Sequence, residues 1–288
     1  VIGIGLGRGG IPGALIASLG FTLPSALLMI GFGYGITSLG GGLGGAAWIH
    51  ALKVVAVAVV AQALWAMART LCPDRLRGTI ALGAGALLVL WPGSTGQIIA
   101  ILAGAALGWW LCNPSAPERH SAMQLPLGRS TAIAMLLTFA LILGIALVPA
   151  PVADAQGFAL FSAMFQSGAL VFGGGHVLLP LLEAETVRTG WVNQDLFLAG
   201  YGAAQALPGP LFTFAAFLGT VQTPAPNGWV GGLIAAIGVF LPSYLLVFGA
   251  LPFWFRLRGN PAARAALAGV NAAVVGLLAA AFYDPVFT

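Results

Sequence analysis

The sequence predicts an all-α integral membrane protein, a polytopic bundle with inverted repeats and helices broken by Gly and Pro. Of the 288 residues, 59% are hydrophobic and 6% are charged, and the mean hydropathy is +1.00. A soluble domain typically carries about 25% charged residues, so these values exclude a water-soluble fold of this size. The apolar residues also gather in stretches close to the roughly 20 residues that a membrane-spanning helix needs.

Nine apolar segments follow one another along the chain. The third and fourth are short for a full span and fit a locally thinned bilayer. For the sixth and seventh, both crossing and re-entering the membrane remain open. The most polar stretch, 113–129, separates the fourth segment from the fifth and is interpreted as a cytoplasmic linker between two halves. The segments are 14–35, 48–68, 79–91, 96–112, 131–148, 157–182, 196–221, 229–251 and 265–282.

An internal repeat relates the two ends of the chain. Residues 10–25 align without a gap to residues 228–243, with nine of sixteen positions identical, including the Leu-Pro-Ser that ends at Ser25 and at Ser243. Cytoplasmic loops are enriched in Lys and Arg, which places the loops 69–77 and 256–264 inside and makes the two copies inverted. Inverted repeats are common in secondary transporters. The alternative is that the copies merely share packing glycines.

The first interrupted segment contains three successive glycines, Gly173, Gly174 and Gly175, followed by His176. Each glycine costs a helix roughly 1 kcal/mol relative to Ala, and backbone groups freed in a bilayer need internal partners or a wet cavity. The N–H groups of a restarting helix carry partial positive charge. We therefore expect an anion site at these residues. The alternative is a close-packing surface with a structural histidine.

The second interrupted segment is centred on Pro208, Gly209 and Pro210. The prolines stop one helix and favour the start of another, and the glycine allows close backbone approach. Gln205 falls in the last turn of the old helix and Thr213 in the first turn of the new one. We expect these residues to complete the anion pocket, whereas a simple proline kink is the alternative.

Three charged residues, Lys53, Glu183 and Arg188, are candidates for functional roles. Lys53 lies in an apolar stretch, where a cation is costly and marks function by default, or else it snorkels to the nearby outer end. Glu183 ends the first interrupted segment and is, with Arg188, a candidate gate or proton relay. Solvation at a membrane face is the alternative for both.

The chain shows no enzymatic motif: HExxH, GxSxG and the Walker A pattern are all missing from the sequence. We therefore expect no catalytic residues, no metal, no cofactor and no nucleic-acid partner. Cys72 and Cys112 lack the spacing of a metal site and are interpreted as free thiols. A membrane enzyme or an assembly subunit is the other class considered. An enzyme would show paired carboxylates or histidines at membrane depth, and a subunit would not need two helix breaks.

At these residues the sequence resembles the chromate ion transporter family. The resemblance rests on Phe172-Gly-Gly-Gly-His-Val-Leu-Leu-Pro-Leu-Leu182, on Gly190-Trp-Val, on Gln205-Ala-Leu-Pro-Gly-Pro-Leu-Phe-Thr-Phe-Ala-Ala216, and on the repeated Leu-Pro-Ser. It implies a multi-pass carrier of the bacterial inner membrane that extrudes chromate, driven by the membrane potential or a proton gradient. Sulfate, also a tetrahedral dianion, is the natural competitor, and a carrier or channel for sulfate or another small anion is the alternative.

One departure from the family pattern concerns the breaks. Long members carry both breaks in each half, whereas here only the second half has them. We therefore predict a truncated first repeat at 1–112, the linker at 113–129 and a complete second repeat at 130–288. The chain is then either an N-terminally truncated piece of a longer protein or a short form that needs a partner chain, such as a homodimer.

Overall fold

The structure, a computed structural model, describes residues 1–38, 47–91, 94–113, 128–148, 156–171, 178–253 and 259–283. All regular secondary structure within these residues is helical. Short 3-10 turns precede α9 at Leu211–Thr213 and follow α10 at Leu251–Phe253. The helices are α1 (Ile2–Ser38), α2 (Ala47–Leu71), α3 (Arg75–Leu90), α4 (Ser94–Leu111), α5 (Arg129–Ala146), α6 (Gln156–Ala169), α7 (Leu178–Thr186), α8 (Gln194–Ala206), α9 (Phe214–Val221), α10 (Gly228–Ala250) and α11 (Pro261–Ala281).

Four helices among the described residues are long and apolar enough to cross a membrane: α1, α5, α10 with its 3-10 extension, and α11. Large apolar side chains cover the outside, with Leu90 83% and Trp110 82% exposed. Such exposure is unfavourable in water but is natural against lipid chains, which are as apolar as the side chains themselves. The predicted all-α, multi-pass membrane fold is confirmed.

The chain divides into two compact units. Unit 1 comprises Val1–Ala46, Arg119–Ala169 and Ala203–Phe255, and unit 2 comprises Ala47–Glu118, Leu170–Gly202 and Arg256–Thr288. Each unit therefore combines three stretches that are separated in the sequence. The predicted repeats at 1–112 and 130–288, with the linker at 113–129, stay a prediction.

Unit 1 is organised around α10, which packs against α1, α5, α6 and α9. Small residues bring these helices close. Gly219 in α9 and Gly231 in α10 meet backbone to backbone, and Gly168 in α6 faces the carbonyl of Val239. Close approach through small residues is the usual means of helix association in lipid, where burial of apolar surface gives no advantage. Gly168, Gly219 and Gly231 therefore serve helix packing.

The sequence repeat is visible in the backbone of unit 1. Gly10 and Gly228, which align at the offset of 218, both have positive φ, +62° and +58°. Each begins the helical stretch that carries the aligned residues, and Pro24 and Pro242 lie inside their helices at the same distance from that start. The repeat thus extends from sequence to conformation, while the inverted orientation of its copies stays a prediction.

Unit 2 is organised around α11, which packs against α3 and α4. The contact again uses glycines, because Gly269 in α11 meets the backbone of Gly104 and Gly108 in α4. The helix starts are capped as their sequences dictate. The Asp74 side chain accepts a hydrogen bond from the Arg77 N–H, and Asn260 accepts one from Ala262 ahead of α11, as short polar residues do at N-caps. Cys72 and Cys112 are free thiols, as predicted.

Candidate functional site

The predicted break at Pro208–Pro210 is present. Helix α8 ends at Ala206, four residues follow without helical structure, and the chain resumes as a 3-10 turn leading into α9. Gln205 is in the last turn of α8, as predicted. The residues 203–221 contain no ionisable side chain, so any preference for an anion here rests on backbone dipoles and amide groups.

Ser25 holds this break from the facing helix α1. Its Oγ lies 2.9 Å from Oγ1 of Thr213, which in turn donates to the carbonyl of Pro210 at 2.9 Å. A hydroxyl has one hydrogen, so the Ser25 hydroxyl donates to Thr213. The two side chains are 2% and 1% exposed. Both hydrogens are thus used inside the protein in this conformation, and a ligand role for Thr213 requires the break to rearrange.

Gly209 lies directly against Ser25. It has φ +143°, a conformation that side-chain-bearing residues rarely adopt. A Cβ placed on it would lie 2.5 Å from Cβ and 2.6 Å from Oγ of Ser25. The expected close backbone approach at Gly209 is therefore confirmed, and the approaching group is Ser25. Sequence reasoning noted the Leu-Pro-Ser at this residue but did not assign Ser25 to the site, although its recurrence at Ser243 was a usable signal.

Glu183 and Arg188, the predicted gate or relay, come together in unit 2. The Arg188 Nε lies 3.0 Å and 3.3 Å from the two carboxylate oxygens of Glu183. Glu183 is 6% exposed, and the turn that ends α7 returns Arg188 to it, with the Val187 and Arg188 N–H groups both donating to the Glu183 carbonyl. A buried carboxylate is costly unless paired, so this ion pair explains how Glu183 is tolerated. Its role as gate or relay stays a prediction.

Other predicted site residues fall outside the described part of the chain. Gly173, Gly174, Gly175 and His176 belong to the range 172–177, which lies outside the described residues between the end of α6 and the start of α7. Lys53 is in α2 by its backbone, and its side chain is outside the described atoms. The anion-binding roles of all five stay predictions.

Comparison with known proteins identifies relatives over most of the chain. The family model described as "Chromate transporter" matches residues 1–109 and 158–288. A chromate transport protein of Pseudomonas aeruginosa is 29% identical over 98% of this chain and 65% of its own length. A probable chromate transport protein of Synechococcus elongatus is 28% identical over 94% of the chain and 66% of its own length. The uncharacterized transporter YwrA of Bacillus subtilis is 38% identical over 35% of the chain and 56% of its own length. No solved structure matches.

Proposed function

Because the chain belongs to the chromate transporter family, we propose that the full-length protein is a secondary transporter that exports chromate. The chain spans about two thirds of the length of the chromate transport proteins that it matches, 65% and 66%, so the activity belongs to the whole protein. The observation that carries the proposal is the helix break at Pro208–Pro210, held in shape by Ser25. A packing helix would not need such an interruption, whereas discontinuous helices form the substrate sites of many transporters.

The proposed anion-binding residues lie in two broken segments. At the first, the N–H groups that follow Gly173–Gly175 and the side chain of His176 supply hydrogen-bond donors. At the second, the start of the 3-10 turn Leu211–Thr213, which leads into α9, and the Gln205 amide supply others. A dianion stripped of water needs several such donors, and helix N-termini offer them together with a favourable dipole. Lys53 adds the one cation that the hypothesis assigns to the site.

Direction and energy source are finer parts of the proposal. Export from a bacterial cytoplasm across the inner membrane fits an anion expelled by a membrane potential that is negative inside. A proton gradient is the other driving force, and the Glu183–Arg188 ion pair is the candidate relay. No chemical step on the substrate is part of the proposal, so the residues named here bind, orient and release.

The test is accumulation of radiolabelled chromate in cells with and without the full-length protein, with sulfate as competitor. We expect lower accumulation in cells that contain it. Equal accumulation would sink the chromate assignment. Gly174→Val should abolish the difference while the protein stays in the membrane. If transport survives this substitution, the glycines only pack.

Sulfate or another small anion is the second candidate substrate, for a carrier or a channel. The observation that favours it is that residues 203–221, which contain the break at Pro208–Pro210, carry no ionisable side chain, so the donors there are backbone and amide groups. Chromate and sulfate share charge and shape, so a site built from backbone donors discriminates between them weakly. The degree to which excess sulfate inhibits chromate transport in the same assay shows which of the two substrates the protein prefers. Sulfate uptake that chromate does not inhibit would favour the alternative.

A further inference from the structure

Unit 2 contains a small cavity with a polar lining between α3, α4, α7 and α11. Its volume is about 130 Å³, and its lining includes Gln97, Pro180, Glu183, Arg188 and Tyr283 among apolar side chains. A cavity of this size has room for water when polar groups line it. The Glu183–Arg188 ion pair accounts for two of these groups. Gln97, from α4, is the residue that neither the ion pair nor the packing explains.

One end of the Gln97 side-chain amide has a hydrogen-bond partner and the other end has none. Its Nε2 donates to the carbonyl of Pro180 at 3.2 Å, and this bond fixes which end is oxygen, since two carbonyl oxygens would repel each other. The Oε1 is buried and has no hydrogen-bond partner, in a side chain that is 4% exposed. Buried polar atoms without partners are rare in proteins and call for an explanation. The site therefore contains an acceptor oxygen that lacks a donor.

The position of Gln97 brings it to the turn of α7 that carries Glu183. Pro180 and Glu183 are three residues apart in one helix, a spacing that makes them surface neighbours, and Gln97 is bonded to the first while sharing the cavity with the second. Among the described residues that line the cavity, the ionisable groups are Glu183, Arg188 and Tyr283. Helix α7 packs against α4 and α11; α4 contributes only the Gln97 amide, and Tyr283 follows α11.

The chemistry of this set selects among three kinds of ligand. An oxyanion would meet the Glu183 carboxylate and the Gln97 oxygen, which both repel it. A metal cation would meet the Arg188 guanidinium, whose Nε is 3.0 Å from the carboxylate that would have to bind the metal. A proton fits, because a protonated carboxyl gains an O–H donor, and Gln97, whose buried Oε1 lacks a donor, lines the same cavity as Glu183.

We propose that Glu183 binds a transported proton, with Gln97 as the acceptor that stabilises the protonated carboxyl. The proposal rests on the proposed function, since it supplies the coupling ion of that transporter. The proton comes from water on one side of the membrane, forms the O–H bond of Glu183 and leaves to the other side. Protonation removes the carboxylate charge and with it the ion pair, so Arg188 is held in one state of the site and released in the other.

Two measurements on the full-length protein test this proposal. The first is pH-difference infrared spectroscopy, which detects the carbonyl band of a protonated carboxyl and does not depend on transport. We expect a band that disappears in Glu183→Gln. In Gln97→Leu its midpoint should move to lower pH by about 0.5 to 1 unit, equivalent to three- to tenfold weaker proton binding, because one hydrogen bond to the protonated form is lost.

The second measurement is proton movement in proteoliposomes that contain a pH-sensitive dye, recorded together with radiolabelled chromate flux. We expect protons to move opposite to chromate in the wild type, as export driven by an inward proton gradient requires, and Glu183→Gln to retain chromate flux down its gradient without proton movement. Chromate flux without protons in the wild type would overturn the proton site and leave the proposed function standing. Failure of chromate flux itself would count against the proposed function, and the infrared band would still decide the proton site.

The matched control is Gln222 in unit 1. Its Nε2 donates to the carbonyl of Pro226 at 2.6 Å, its Oε1 is likewise buried without a partner, and its side chain is 2% exposed. It does not line the cavity. Gln222→Leu should therefore leave the midpoint of the infrared band unchanged. Equal shifts in the two glutamine variants, or an unchanged band in Glu183→Gln, would refute the assignment.

Discussion

Replacing Gly209 by Ala tests the geometry of the proposed substrate site directly. The added Cβ would lie 2.5 Å from Cβ and 2.6 Å from Oγ of Ser25, well inside van der Waals contact. Ser25 is buried in α1 and bonded to Thr213, so it has little freedom to retreat. The φ of +143° at Gly209 adds a second, independent penalty, because an L-residue rarely adopts it.

The two penalties have known sizes. A residue forced into a sparsely populated backbone region costs about 1–3 kcal/mol, and overpacking a filled site costs about 1–3 kcal/mol. Even the lower sum of about 2 kcal/mol reduces the population of the observed break roughly 30-fold, at about 1.4 kcal/mol for each factor of ten. We therefore expect Gly209→Ala to lower transport at least about tenfold in the full-length protein.

The assay is chromate flux normalised to the amount of protein in the membrane, with the melting temperature in detergent measured alongside. The matched control is Gly20→Ala in α1, where nothing lies within 4 Å of the new Cβ and helix propensity improves by up to about 1 kcal/mol. Ser25→Gly removes the steric contact but also the hydrogen bond to Thr213, so Gly209→Ala is compared in the wild type and in Ser25→Gly, where it should cost less. Wild-type flux in Gly209→Ala, or an equal cost in the two backgrounds, would refute the reasoning.

Three further predictions follow from other residues. Thr213→Val removes the hydrogen bonds to Ser25 and Pro210, worth about 1 kcal/mol each, and should slow chromate flux several-fold. Thr213→Ser keeps the hydroxyl and should have near wild-type flux, and equal flux in the two variants would contradict the role of these hydrogen bonds. Burial raises the pKa of the Cys72 thiol, an effect that Arg77 partly offsets and Asp74 increases. Since the thiolate is the reactive form, maleimide labelling of Cys72 should be slow near neutral pH and should accelerate as the pH rises. Labelling should be slower still in Arg77→Gln, because the charge that favours the thiolate is lost. Labelling of intact cells by a maleimide that cannot cross the membrane would contradict the predicted cytoplasmic position of this loop. Gly269→Val should destabilise unit 2 by about 3 kcal/mol or more and lower the melting temperature of the protein, because its Cβ would lie 2.6 Å from Cα of Gly108. The control is Gly83→Val, whose Cβ has open space around it and which should leave the melting temperature nearly unchanged.

Much of the fold follows from local features of the sequence. The composition indicates that the protein is surrounded by lipid. In lipid, the helix is the main way for backbone N–H and C=O groups to find hydrogen-bond partners. Pro208 and Pro210 fix the end of α8 because a proline ring lacks an N–H and clashes with the preceding turn. The repeat at an offset of 218 foretells two similar helix starts, and the matching φ angles of Gly10 and Gly228 agree with it.

What the sequence does not reveal is which residues meet across the fold. Ser25 and Thr213 are 188 residues apart, and no local pattern specifies that their hydroxyls pair. In the sequence, Gln97 is an ordinary polar residue near the start of a helix. Only the packing of α4 against α7 buries its amide and leaves one end of it without a hydrogen-bond partner. Glu183 was found from the sequence because it ends the first interrupted segment, and Arg188 follows it by five residues.

The composition of unit 1 has a consequence for how the protein is made. Helix α10 begins at Gly228, 190 positions after α1 ends at Ser38, yet the two pack together and Ser18 bonds to Tyr244 at 2.6 Å. At about 5–20 residues per second, the ribosome needs roughly 10–40 s to supply the partner. During that interval α1 is made without α10, and the hydroxyls of Ser18 and Ser25 lack their partners Tyr244 and Thr213. Biogenesis of this protein therefore includes a waiting period in which one of its longest helices is exposed to premature pairing and to quality-control proteases.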